Sequence, residues 1–142
     1  MKVKSRFRSI EALPPDRAKL LSRQEGSHLF PWNTKFAPLG TEFIVYGIEF
    51  VEGNLCYRIG NPPQEAYTIL GLAVLFDVTD PRVSRHWEFH VGSDGWFTLG
   101  PSSWSIEFYH DRLSDGEPEL VDDFASIKKR FAEEYFSANR DD

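Results

Sequence analysis

From Trp87 to Tyr109 the side chains alternate apolar and polar, and this period of two constrains the fold more than any other feature of the chain. Strand side chains point to opposite faces in turn, so a one-residue slip in pairing would move every apolar group to the wrong side. Ser93-Asp94-Gly95 fits a hairpin loop of three residues with Gly95 in the left-handed conformation, which pairs Val91 with Phe97 and Phe89 with Leu99. Gly100-Pro101-Ser102-Ser103 fits a second loop, pairing Leu99 with Trp104 and Phe97 with Ile106. One face of this meander then carries Trp87, Phe89, Val91, Phe97, Leu99, Trp104, Ile106 and Phe108. The other carries His86, Glu88, His90, Trp96, Thr98, Ser105, Glu107 and Tyr109.

The same period starts at Thr41. Ile44, Tyr46, Ile48 and Phe50 share a strand face, and Gly53-Asn54 reads as a tight hairpin turn. That turn sets Phe50 opposite Tyr57, Ile48 opposite Ile59 and Glu49 opposite Arg58, an ion pair across the strands. The apolar run Tyr67 to Val78 predicts a strand buried on both faces. Leu120, Phe124, Ile127, Phe131 and Tyr135 recur at the helical period, so Glu117-Pro118-Glu119 opens a helix to about Ala138. Pro14-Pro15-Asp16 opens a short helix through Ala18, Leu20 and Leu21 towards Gly26, and residues 27–40 form a loop anchored by Phe30, Trp32 and Phe36. The predicted architecture is one α+β domain over residues 1–142. It has a mostly antiparallel sheet of five to six strands, the long C-terminal helix packed across the apolar face, a short N-terminal helix, and residues 1–9 as a basic arm.

Charge narrows the partners. Residues 1–35 hold eight Lys and Arg against three Asp and Glu, the remainder eight against nineteen, and the chain carries -6 overall. Such an acidic body repels nucleic acid and attracts basic partners, while the basic arm pairs with the body. The longest apolar run, Ile69 to Phe76, is short of the ~20 residues a helical membrane span requires. The N-terminus has positive charge without a following apolar stretch, so it is read as retained, and a single cysteine, Cys56, forms no internal disulfide. These features predict a cytoplasmic protein that is a monomer or a weak homodimer.

The sequence holds no glycine-rich phosphate loop, nucleophile elbow, Cys-x-x-Cys or His-Glu-x-x-His. No catalytic residue and no cofactor is assigned, and Cys56 reads as a small packed residue. Because strand side chains alternate, His86, Glu88 and His90 project from one face and form a set able to hold a divalent metal, with Glu107 or His110 as the nearby further ligand, although His110 points to the opposite face in this register. This supports a metal-dependent or small-ligand-binding enzyme as the alternative function. The leading expectation rests on the same face. His86, Glu88, His90, Trp96, Glu107 and Tyr109 place aromatic anchors in a polar surround, the composition of a protein-binding patch. A single small acidic domain without catalytic motifs suits an inhibitor of the immunity or antitoxin kind, which occludes a toxic, basic partner enzyme. Asp111, Asp115, Glu117, Glu119, Asp122 and Asp123 form an acidic run at the start of the long helix, as a solvated face or a docking surface for a cation.

Overall fold

In the computed structural model, which describes residues 1–21, 38–92 and 96–138, the basic N-terminal segment is built into a sheet. β1 (Lys2–Ser5) lies between β2 (Glu42–Ile44) and β6 (Phe76–Asp80), antiparallel to both. Alternation explains its central place: Val3 and Ser5 are buried, whereas Lys2 and Lys4 project outward. The outward charges meet acids, as the charge distribution predicted. Lys2 Nζ lies 3.0 Å from Glu42, and Asp77 receives both Arg6 (2.8 Å) and Arg17 (2.5 Å). Arg17 comes from α1 (Pro15–Ala18), a single turn opened by proline. The predicted continuation of that helix beyond Leu21, and the loop with Phe30, Trp32 and Phe36, lie outside the described residues.

A second sheet has the order β5 (Thr68–Leu72), β4 (Asn54–Gly60), β3 (Gly47–Val51), β8 (Phe97–Gly100), β7 (Glu88–Val91), all antiparallel. β3 (Gly47–Val51) and β4 (Asn54–Gly60) form the predicted hairpin, but the turn is Glu52-Gly53 rather than Gly53-Asn54. Both turn residues have positive φ, 50° and 79°, the geometry that matches the twist of the flanking strands. Phe50 therefore faces Leu55 and Glu49 faces Cys56. The displacement is even, so the side chains of β3 and β4 keep their predicted faces, and Arg58 reaches Glu49 diagonally at 2.9 Å. Ile44 and Tyr46, predicted to share the face of Ile48 and Phe50, precede β3 and pack instead in the cluster that holds Phe124 and Phe131.

The apolar run from Tyr67 is not one strand. β5 (Thr68–Leu72) edges the five-stranded sheet, a 3-10 turn follows over Ala73–Leu75, and β6 joins the three-stranded sheet. Leu72, Leu75 and Phe76 are buried where the segment passes from one sheet to the other, whereas Ile69, Leu70, Ala73 and Val74 are half-buried and Val78 is exposed, so the run is not hidden on both faces as predicted.

β7 (Glu88–Val91) and β8 (Phe97–Gly100) pair in the predicted register, Val91 with Phe97 and Phe89 with Leu99. The next predicted pairing is absent. β8 runs beside β3, with Leu99 opposite Ile48, and the chain leaves the sheet in a 3-10 turn over Ser102–Ser105. Two glycines account for this departure. A Cβ at Gly47 would stand 2.3 Å from the Trp104 ring and one at Gly100 would stand 2.5 Å from it, so the indole occupies space that any other residue there would fill. Trp104, Ile106 and Phe108 are thus not sheet residues, and Tyr109 begins α2 (Tyr109–Ser114).

α3 (Pro118–Ala138) has the predicted bounds and stripe, with Leu120, Phe124, Ile127 and Phe131 buried. Its partners are Tyr46, Trp104, Tyr109 and Leu113, not Phe89, Val91 and Phe97. The fold is α+β as predicted, with two sheets in place of one and the helical layer against the opposite face of the larger sheet. Trp87 touches both cores and donates its indole N–H to the Tyr46 carbonyl at 2.8 Å.

Candidate protein-binding face

The registers of the five-stranded sheet place Val91, Phe97, Phe50 and Leu55 in one row across β7, β8, β3 and β4. The next row on the same face is Phe89, Leu99, Ile48 and Tyr57. At Tyr57 on β4 this face is covered, the ring buried edge-on against Phe76 of the other sheet. At Leu55, two residues earlier on the same strand, and towards β7 it is open. Val91 is 69% exposed, Phe89 60% and Leu55 42%. Phe97 holds the open rings in order, stacked on Phe50 at 5.3 Å and tilted against Phe89 at 5.6 Å. Seven of the eight positions thus form an apolar surface without a charged side chain, the kind of patch that marks interaction sites.

The opposite face is where the sequence placed the binding patch, and most of it is interior. It carries Glu49, Arg58 and Thr98, and Trp104 and His110 lie against it. Glu49 is 4% exposed and ion-paired with Arg58; its Oε1 lies 3.6 Å from His110 Nε2, and His110 Nδ1 lies 2.6 Å from the Thr68 hydroxyl. Burial, reinforced by the Arg58 charge, pushes the His110 pKa down to about 2, so its ring is neutral at physiological pH. Thr68, buried beneath the strand start, and an imidazole so weakly basic make this cluster a fastening between α2 and the sheet. The sequence offered one part of it, the Glu49–Arg58 pair; His110 could not be joined to them without knowing that the chain leaves the sheet at Trp104.

The predicted site residues scatter. Glu88 and His90 are on β7, with Glu88 exposed and His90 half-buried beside Thr98. His86 precedes the strand in a turn, where its ring packs 5.7 Å from Phe131, so strand alternation does not align it with the other two. Nε2 of His86 and Nε2 of His90 are each buried without a hydrogen-bond partner among the described residues, yet no group of three metal-ligating side chains forms among those residues. Glu107 is exposed in the turn before α2. Tyr109 is a core residue, 2% exposed, whose hydroxyl donates to Asp123 at 2.6 Å, because helix α2 turns it inward. Trp96 is 45% exposed, one residue before β8.

Cys56 is the packed residue the sequence suggested. The Cys56 thiol is fully buried, which pushes its pKa up to about 12, the state of an inert packed cysteine. Two of the six acids in the run are engaged within the fold, Asp123 accepting from Tyr109 and Ser103 and Glu117 bridged to Arg112 at 2.6 Å, while Asp111, Asp115, Glu119 and Asp122 are exposed.

No helix among the described residues is long and apolar enough to cross a membrane. Comparison with protein-family models, with curated proteins and with solved structures gives no significant match to any of them.

Proposed function

We propose that this chain is a protein-binding module that docks a basic partner through the open face formed by Phe89, Val91, Phe97, Phe50 and Leu55. One observation carries the reading: Phe89, Val91 and Leu55 stand exposed, with half-buried Phe50 and Phe97 between them in register on one sheet face, on a chain whose net charge is -6. Exposed rings on a strand scaffold lose little conformational freedom on binding and supply the central anchors of an interface. The surrounding negative charge steers a cationic partner towards them and repels a second copy. An inhibitor that covers the working surface of a basic enzyme, as immunity and antitoxin proteins do, is the role that fits this combination.

The test places a photo-cross-linking amino acid at Leu55, on the open face but away from the β7 edge, with Lys129 on the exposed side of α3 as the control position. The expected result is one heterologous adduct from position 55, absent from position 129, reduced by 0.5 M salt and lost in the Phe89→Lys background. Adducts only between copies of this chain, or adducts equal at both positions, would overturn the proposal.

A further inference from the structure

We infer that the outer edge of β7 is a strand-addition site for an extended segment that alternates apolar and cationic side chains. This rests on the protein-binding reading above and specifies how the partner makes contact.

β7 ends the sheet order, so one side of its backbone has no neighbouring strand in that sheet. Hydrogen bonding determines which groups face outward. Gly92 donates its N–H to the Trp96 carbonyl at 2.6 Å and therefore faces β8. In an antiparallel strand the N–H and C=O of one residue point the same way and alternate along the chain, so His90 also faces β8, and Phe89 and Val91 turn their backbone groups outward. Natural edges are blunted by very short strands, by charged side chains, lysine above all, by proline or by a bulge; β7 is four residues long with Glu88 as its one charge, which the complementary strand must answer. The segment Glu88-Phe89-His90-Val91 has neither lysine nor proline, and its pairing with β8 is unbroken.

An added strand would bond to Phe89 and Val91 through residues whose side chains extend the open apolar face, so those residues are apolar. The intervening residues share the other face with Glu88 and His90, at non-hydrogen-bonded positions where cross-strand side chains approach most closely. Glu88 is exposed and takes no part in an ion pair among the described residues, so the residue opposite it is Lys or Arg. Alternation of valine-like and lysine-like residues is therefore the complementary pattern, and the -6 charge of the chain selects against a second copy of itself.

Fluorescence anisotropy with a labelled peptide of four Lys-Val repeats, and with a Glu-Val counterpart, tests this directly. The Lys-Val peptide should bind at least tenfold more tightly at low salt, and Glu88→Lys should reverse the preference. Methylating the valine nitrogens, which face β7, should abolish binding, whereas methylating the lysine nitrogens should change it less than twofold. Val91→Pro, which removes an outward N–H and spares the ladder to β8, should weaken binding at least tenfold with an unchanged near-UV circular dichroism spectrum. Equal binding of the two peptides, insensitivity to valine N-methylation, or no binding would each overturn strand addition. Cross-links from Leu55 persisting beside any of those results would leave the open face standing as the docking surface. Concentration-dependent self-association abolished by Val91→Pro would name a second copy as the occupant and overturn the inference.

Discussion

Gly100→Ala is the sharpest probe of why the open face is open. The added Cβ would meet three atoms of the Trp104 ring at 2.5, 3.0 and 3.3 Å, against the ~3.5–4.0 Å that carbon pairs prefer. The indole has little room to give, being 8% exposed and set edge-on against His110 at 4.6 Å. Overpacking of this kind costs about 3 kcal/mol, partly offset by the ~0.5–1 kcal/mol that alanine saves over glycine in chain entropy, leaving a net loss of about 2 kcal/mol. Removing the indole costs about 3–5 kcal/mol by itself. In the Trp104→Ala background, however, Gly100→Ala has nothing to strike and should lie within about 0.5 kcal/mol of neutral, a coupling of about 2 kcal/mol. Gly47→Ala behaves differently, because its Cβ also meets the Leu99 carbonyl oxygen at 2.8 Å and stays costly without the indole. Urea denaturation of the four proteins in each cycle measures these values. If Gly100→Ala cost the same in both backgrounds, Trp104 would not be the group that seals that face, and the account of why α2 and α3 lie there would be wrong.

Three further outcomes follow from the structure. Because the folded pKa of His110 is depressed, the unfolded chain binds a proton first as pH falls below about 6.5, so stability declines between pH 6.5 and 5 with a slope approaching 1.4 kcal/mol per pH unit; His110→Gln should flatten that decline in denaturant titrations, and an unchanged slope would count against the assignment. Glu52 holds a left-handed conformation at φ 50°, so Glu52→Asn should raise stability by about 0.5–1 kcal/mol in thermal unfolding, and a loss would refute the turn geometry. Phe89→Lys, at a position 60% exposed, should leave stability within about 0.5 kcal/mol of the parent, so that any loss of cross-linking reports binding and not unfolding.

What the sequence revealed depended on how far each signal travels along the chain. The α3 stripe and the β7–β8 register are local, set by side-chain period, and the structure matches the predicted stripe and the predicted pairs, while the predicted Ser93-Asp94-Gly95 loop with left-handed Gly95 lies outside the described residues. Phe50, Leu55 and Phe97 were correctly placed on apolar faces, but the meaning of that face was not legible. Whether a face is core or surface depends on which layer covers it, and the layer was redirected by Gly47 and Gly100, fifty-three positions apart and opposed only once β3 pairs with β8. Gly100-Pro101 reads equally well as a hairpin loop and as the start of a helical turn. Tyr109 was lost from the predicted patch for the same reason, and His110 gained its place beside Glu49. Likewise the apolar run through Leu75 marked a segment with a buried core at Leu72, Leu75 and Phe76 but not its path, since a crossing between two sheets and a central strand leave a similar trace in composition.

β1 carries a consequence for how the molecule assembles. Its neighbours in the sheet are residues 42–44 and 76–80, so neither pairing can form by local hairpin closure. Both require long loops to close, and the second must close around the entire β3–β4–β5 meander, whose own pairs lie close in sequence. Loop-closure entropy therefore orders the events: the meander can nucleate early, while Lys2–Ser5 waits as an unpaired, basic strand until Asp80 is available. Met1 to Ser5 would then be the last strand to lock, and the acids of β2 and β6 would guide it home by charge before Val3 is buried.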